Sequence, residues 1–257
     1  MTRLQKLLAG LGLGSRRTIE DWIRDGRVSI GGRTAQLGDR AGPDDDVRLD
    51  GRKLDLGRTA TVPELLLYYK PLGEVTTRSD PQGRPTVFGQ LPPPRQGRWI
   101  SVGRLDVNTS GLLLLTNDGE LAHRLMHPSG EVEREYLVRL RGHPDSGVIR
   151  SLLDGVDIGD GRARFDRISA ENAGETHRHP GAEPSGSHSS FRVVLHEGRN
   201  REVRRLWQAV GFEVSRLLRV RYGPVELPRD MRPGSARLAE PELLEQLRAA
   251  VGFRGGE

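Results

Sequence analysis

A chain of 257 residues with 40 basic and 35 acidic side chains, net charge +5 and a sequence pI near 10.0, favours an anionic partner, nucleic acid first. A hydrophobic fraction of 35% and a mean hydropathy of −0.55 are low but globular; Leu/Val periodicity excludes wholesale disorder, and no segment is long enough for a membrane span. The lack of cysteine excludes disulfides and thiol catalysis and suits a reducing cytoplasm.

The N-terminus, "MTRLQKLLAGLGLG", carries charges and lacks a long apolar core, so no signal peptide is expected. Leu4, Leu7, Leu8 and Leu11 recur at helical spacing, and Gly12 and Gly14 end that helix. Ser15 is placed to cap a second helix whose inner face is Ile19, Trp22 and Ile23. "GRVSIGGRTA" then reads as a tight hairpin around Gly31-Gly32. Arg16, Arg17, Arg24, Arg27 and Arg33 decorate this unit outside its apolar faces, as a solvated charged surface would. Two short helices, a hairpin and interleaved arginines in this order resemble the S4 RNA-binding domain over residues 2 to 50. The resemblance implies that Arg16, Arg17, Arg24 and Arg27 contact RNA.

Residues 1–50 are therefore expected to form one module and 51–62 a polar linker. From "LLLYYKPLGEVTT" onward, short apolar strands are broken by Gly and Pro. "GRWISVGRL", "GLLLLTND", "REYLVRLRG", "SFRVVLHEG" and "FEVSRLLRVRYGPVEL" are the best strand candidates, with helices over "GELAHRLMH" and "NREVRRLWQAVG". Such a mixture without regular βαβ alternation is α+β. Residues 171–190, rich in Gly, Pro, Ser and His without apolar period, are expected to be a flexible insertion within a larger domain over 63–257.

Within "GRLDVNTSGLLLLTNDGELAHRLMHP" (103–128), Asp106 stands at the mouth of an apolar strand. It does not open a calcium loop: position twelve, where a bidentate Glu closes the shell, is Asn117, and a strand rather than a helix follows. Two readings stay open on the residues alone, an Asx-type turn former and a working carboxylate on a loop beside a rigid strand. No metal is expected. His123 and His127 are spaced i,i+4 without the Glu of a zinc-protease motif, and His177 and His179 fall in the insertion.

Four ordered segments resemble the RsuA-like branch of the ribosomal RNA pseudouridine synthases: "KPLGEVTT" (70–77), the 103–128 segment, "EREYLVRL" (133–140) and "HEGRNREVRRLWQAVGFEVSRLLRVRYGPVEL" (196–227). The resemblance implies a catalytic domain with a mixed, largely antiparallel sheet behind the S4-like αα-hairpin module. It implies isomerisation of a ribosomal RNA uridine to pseudouridine, on the large subunit first and the small subunit second. A non-catalytic S4-type assembly factor is the rival from another class, and would have no need of the acid. By the same resemblance Asp106 is the catalytic acid or nucleophile, Tyr136 the platform for the extruded base and Arg204 the cation beside Asp106. Val203 is the apolar wall opposite, and Glu202 stands where the family usually has Gln. Arg104 contacts a backbone phosphate or pairs with another acid. No cofactor is implied, because substrate and product are isomers and no group is oxidised or carried; a cytoplasmic monomer is expected, with ribosomal RNA as partner and no membrane.

Overall fold

The computed structural model describes residues 1–56, 62–171 and 187–253, and the chain divides into two compact units. The first comprises residues 1–64 together with 93–100 and 116–120; the second holds the remainder.

In the first unit, strand β1 (Thr2–Arg3) leads into helix α1 (Leu4–Gly10), and α2 (Arg16–Arg24) follows after the turn at Gly12. Ser15 caps α2 as expected, its Oγ accepting the Thr18 amide at 2.9 Å. Leu4, Leu8, Ile19 and Ile23 are buried, with Leu7, Leu11 and Trp22 packed at the margin. The hairpin forms as β2 (Val28–Ile30) and β3 (Arg33–Thr34), with Ile30 opposite Arg33 across Gly31-Gly32. Strand β4 (Arg40–Ala41) pairs with β1. Strands β5 (Val47–Leu49) and β6 (Arg52–Lys53) complete a four-stranded sheet in the order β3-β2-β5-β6.

The expected linker therefore begins too early at residue 51. Arg52 pairs with Leu49, the Leu54 amide donates to the Val47 carbonyl at 2.8 Å, and Leu56 is buried in the module core. The polar composition of "DGRKLDLG" hid a strand because both residues of this edge strand, Arg52 and Lys53, are exposed. Residues 57–61 lie outside the described residues.

The second unit is built on one mixed sheet. Its strands are β7 (Leu65–Lys70), β8 (Ile100–Val102), β9 (Ser110–Thr116), β10 (Arg134–Arg141), β13 (Arg167–Ala170), β14 (His188–Leu195), β15 (Val214–Tyr222), β16 (Val225–Glu226) and β17 (Ala236–Leu238). A separate two-stranded ribbon joins β11 (Val156–Asp157) to β12 (Arg162–Ala163). The main order is β13-β14-β10-β15-β9-β7-β17, with β16 on β15 and β8 on β9. Of the pairs with a defined register, only β15–β9 is parallel, which fits the largely antiparallel expectation. Helices α3 (Gly119–Met126), α4 (Ser146–Asp154), α5 (Glu202–Ala209) and α6 (Pro241–Ala249) accompany the sheet.

The four leucines 112–115 are buried on both faces of the sheet, which explains their unbroken apolar run. Gly111 opens that run at φ +108°, and a Cβ there would lie 2.2 Å from the Arg219 carbonyl oxygen. No side chain fits so close a parallel approach of β9 to β15. Strand β14 begins at His188, so the end of the stretch expected as an insertion is strand; residues 172–186, with His177 and His179, lie outside the described residues.

Candidate active site

Asp106 sits on the loop between β8 and β9, and that loop is held from several sides. Its own backbone makes a turn, the Thr109 amide donating to the Asp106 carbonyl at 3.0 Å. Thr76 Oγ1 donates to the Leu105 carbonyl at 2.9 Å and accepts the Leu105 amide at 3.2 Å. The Gly73 amide donates to the Val107 carbonyl, and Arg204 Nη2 donates to the Asn108 carbonyl at 2.7 Å. The ammonium of Lys70, fully buried, donates to the carbonyls of Pro71 and Thr109, both at 2.9 Å. Burial pulls the Lys70 ammonium down to about 8, with Glu74 and Asp106 opposing. The segment "KPLGEVTT" thus serves as a backbone clamp on the loop that presents Asp106.

Both readings of Asp106 left open by the sequence hold a part of the answer. The backbone turns, yet the carboxylate takes no part in the turn: among the described residues it makes no hydrogen bond, and its one ion pair is with Arg201 Nη1 at 3.8 Å. At 29% side-chain exposure it opens into a cleft of about 830 Å³. A turn former would direct its oxygen to a local amide, and neither oxygen of this carboxylate does so among the described residues.

The floor of the cleft comes from β10 and β15. Along β10, Arg134 and Tyr136 share a face by strand alternation. Along β15 the pairing slips between Tyr136–Arg219 and Glu135–Arg221, leaving Val220 as the extra residue. That bulge puts Leu217, Arg219 and Tyr222 together on the cleft face, which plain alternation would not. Arg134 and Arg219 each lie over the Tyr222 ring at 5.1 Å from its centroid. The Tyr222 hydroxyl donates to the Leu125 carbonyl at 2.7 Å and accepts from Arg134 Nη2 at 3.2 Å.

The far wall is the start of α5. Arg201, its N-cap, has the left-handed backbone φ 52°, ψ 30°, uncommon for a residue with a Cβ and of order 1 kcal/mol less favourable than ordinary backbone. The helix is anchored by the fully buried Trp207, whose ring packs against Phe165 and Phe191 at 5.9 and 5.4 Å. Val203 and Glu202 face the cleft, and both are buried. Glu202 Oε2 accepts the Arg199 amide at 3.0 Å, while Oε1 has no partner among the described residues. Burial is the chief reason its carboxyl is pushed up to about 7.

The structure therefore brings Arg104, Asp106, Tyr136 and Val203 into one cleft. Arg104 is exposed and, among the described residues, has no acid partner. Arg204 is not a lining residue; it stands behind the loop, half-buried, donating also to the Val214 carbonyl at 2.8 Å. Burial lowers its pKa most, Arg201 adds to this, and Asp106 and Glu213 oppose. Arg201, Arg219 and Arg134 carry no signal in the sequence that marks them for the cleft. In a chain where arginine is everywhere, only the position of the bulge and the left-handed N-cap distinguish them.

The module arginines divide into two sets. Arg24 pairs with Asp21 at 2.6 Å, and Arg27 grips Asp50 with two bonds at 2.9 and 2.6 Å while lying over Trp22. Arg16 and Arg17 are exposed and have no acid partner among the described residues. His127 Nδ1 contacts Ser129 Oγ at 2.8 Å and caps the turn after α3. Among the described residues no three His, Cys, Asp or Glu side chains gather as a metal site, and no helix is long and apolar enough to cross a membrane. Asn117, at the twelfth position of the rejected calcium loop, accepts the Glu64 amide at 2.8 Å.

Comparison with known proteins bears on the same segments. Residues 64–209 match the family model described as RNA pseudouridylate synthase, and residues 2–47 match the S4 domain model. The chain is 49% identical over 253 residues to "Ribosomal large subunit pseudouridine synthase B" of Pseudomonas aeruginosa, covering 98% of this chain and 63% of that protein. It is 54% identical over 235 residues to the protein of the same name from Yersinia pestis, covering 90% and 70%. With the Escherichia coli (strain K12) protein of that name it shares 51% over 251 residues, covering 95% and 82%. A crystal structure of a pseudouridylate synthase superimposes with a TM-score of 0.64 at 25% identity, covering 96% of this chain and all of that one. The chain thus spans between 63% and 82% of the length of these three relatives. It belongs to the RNA pseudouridylate synthase family.

Proposed function

We propose that this protein isomerises a uridine of large-subunit ribosomal RNA to pseudouridine, with Asp106 as the catalytic acid or nucleophile. The observation that carries this reading is the carboxylate itself: a loop clamped through its backbone holds an acid with no hydrogen bond among the described residues at the edge of a partly apolar cleft. Breaking a glycosidic bond and rejoining the base through carbon needs a group that attacks or stabilises the sugar or base, and a carboxylate does either. The names borne by relatives at about half identity support the large subunit over the small one.

Tyr136 on the floor and Val203 on the wall formed by α5 make the slot for an extruded base. Arg104, exposed at the rim without an acid partner among the described residues, takes a backbone phosphate of the substrate. Arg204 holds the Asp106 loop through Asn108 and adds positive charge behind it. Residues 1–56 act as an S4-type RNA-binding domain and 63–257 as the catalytic domain. Arg16 and Arg17 are the first candidates for binding phosphate, because Arg24 and Arg27 are engaged with acids of their own module. The protein works as a cytoplasmic monomer without cofactor.

The test is a pseudouridine map of ribosomal RNA from a strain lacking the protein. Loss of one or more large-subunit pseudouridines, restored by the wild-type gene and not by Asp106→Asn, is the expected result. An unchanged map would overturn the reading, and a loss confined to the small subunit would overturn the choice of substrate.

A further inference from the structure

Arg219 is 2% exposed, on the floor of the cleft. Its Nε donates to the Leu112 carbonyl at 2.7 Å, and its guanidinium carbon lies over the Tyr222 ring. These two interactions fix the plane and reach of the side chain. Yet Nη2, buried from solvent, has no hydrogen-bond partner among the described residues. A buried donor on a charged group is rarely left unmade, because the desolvation penalty is then uncompensated. The neighbours that line the cleft with it, Tyr136, Leu217, Val203 and Leu195, are apolar in their bulk, while the exposed arginines 104 and 201 stand elsewhere on its lining. Such a place suits a flat, neutral ring with an acceptor on its edge better than a phosphate, which keeps its hydration at the rim.

We propose that Arg219 determines base specificity, its guanidinium donating a hydrogen bond to a carbonyl oxygen of the uracil both before and after the base turns. This rests on the pseudouridine synthase reading above. In the isomerisation the bond between N1 and the sugar breaks and one between C5 and the sugar forms, while C5 gives up its hydrogen as a proton to solvent and N1 takes up a proton. A half-turn of the ring about its N3–C6 axis exchanges N1 with C5, and with them O2 with O4. A single fixed donor therefore meets one carbonyl oxygen before the turn and the other after it. Cytosine lacks this symmetry: it carries an amino group where uracil has O4, so at one stage a donor would face a donor with no water to relieve it. The rigid mounting of Arg219 is what such a role needs, since the base moves and the donor does not.

The experiment uses the full chain and RNA fragments carrying 5-tritiated uridine, 5-tritiated 2-thiouridine or 5-tritiated 4-thiouridine at the target position, followed as tritium release in single turnover. Sulfur accepts hydrogen bonds weakly, so the wild type is expected to slow by about tenfold or more on at least one thio substrate. Arg219→Lys and Arg219→Met are expected to be slow on uridine and to treat oxygen and sulfur substrates alike. Each protein is compared with itself, so partial loss of folded variant does not alter the ratio. Should the variants slow on sulfur by the same factor as the wild type, the sulfur effect is one of size and the proposal fails. A wild type indifferent to both thio substitutions overturns it without any variant. Failure of the underlying reading looks different, with no tritium released by the wild type from uridine itself.

Discussion

Arg201 places Nη1 3.8 Å from Asp106 Oδ2, and it does so from a left-handed backbone at the first residue outside α5. The nearest cation to the acid is thus carried by a strained N-cap, while Arg204, near the start of the helix, reaches the backbone of the same loop from behind. Proximity and importance separate here. Arg201 is 47% exposed, and an ion pair so open to water contributes about 0–1 kcal/mol. Arg204 supplies donors to two carbonyls in a half-buried setting, where each unmade bond costs about 1–3 kcal/mol. Arg201→Ala is therefore expected to slow turnover by no more than about fivefold, and Arg204→Met by more than about tenfold, with Arg204→Lys between them. RNA affinity should hardly change in any of the three. Single-turnover rates alongside filter-binding affinities decide it; an Arg201 variant slower than Arg204→Met would reverse the assignment.

Asp106→Asn preserves shape and removes charge. Turnover is expected to fall by roughly a hundredfold or more, while affinity for a ribosomal RNA fragment stays within error, because the groups that bind phosphate are untouched. Wild-type tritium release from the asparagine variant would remove Asp106 from the chemistry.

Thr76→Val deletes a hydroxyl that both donates to the Leu105 carbonyl and accepts the Leu105 amide. One carbonyl and one amide are then without their partner, which costs about 1–3 kcal/mol in stability. The expected kinetic effect is a lower kcat with KM unchanged, since the clamp orders the loop and does not touch RNA. Urea unfolding and steady-state kinetics on the same preparation test both halves; a change confined to KM would mean that Thr76 meets substrate.

Glu202 is 4% exposed and its carboxyl is raised from 4.5 to about 7, chiefly by burial. A group whose folded pKa lies above its unfolded value binds its proton more tightly in the native state. Its stabilising contribution is complete below about pH 4.5 and is lost as pH rises through about 7. Glu202→Gln has no charge to bury. The variant is expected to be more stable than wild type at pH 8, by on the order of 3 kcal/mol at most, and to match it near pH 5. Denaturant midpoints at the two pH values measure this, and a difference that does not grow with pH would place the titration elsewhere.

Arg16→Ala combined with Arg17→Ala is expected to weaken RNA binding and to reduce the slope of log affinity against log salt by about 1.4–1.8, because two phosphates then keep their counterions. Arg24→Ala should change the slope far less, because Asp21 already neutralises that guanidinium. Salt titrations of binding for both variants distinguish the sets; a fall in slope of about 0.7–0.9 for Arg24→Ala, one phosphate's worth, would mean the ion pair opens on meeting RNA.

Much of the molecule was legible in the chain because local chemistry writes it there. Ser15 before an apolar period, Gly31-Gly32 between alternating residues and four leucines after Gly111 each act within a few residues, and each element formed where its pattern lay. The same holds for Asp106, whose motif announces a loop and an acid together. Tertiary structure decided what periodicity cannot encode. Strand β6 is edge pairing without an apolar run, so it read as linker. Arg219 and Tyr222 differ by three residues and would lie on opposite faces of a regular strand; the bulge at Val220, set by pairing with β10, puts them on one. Which of many arginines is buried, which is paired and which has an unmade bond depends on neighbours brought from distant sequence, such as Leu112 for Arg219 and Asn108 for Arg204. A guanidinium is the same in every window of the chain, and only the surroundings that desolvate it decide its role.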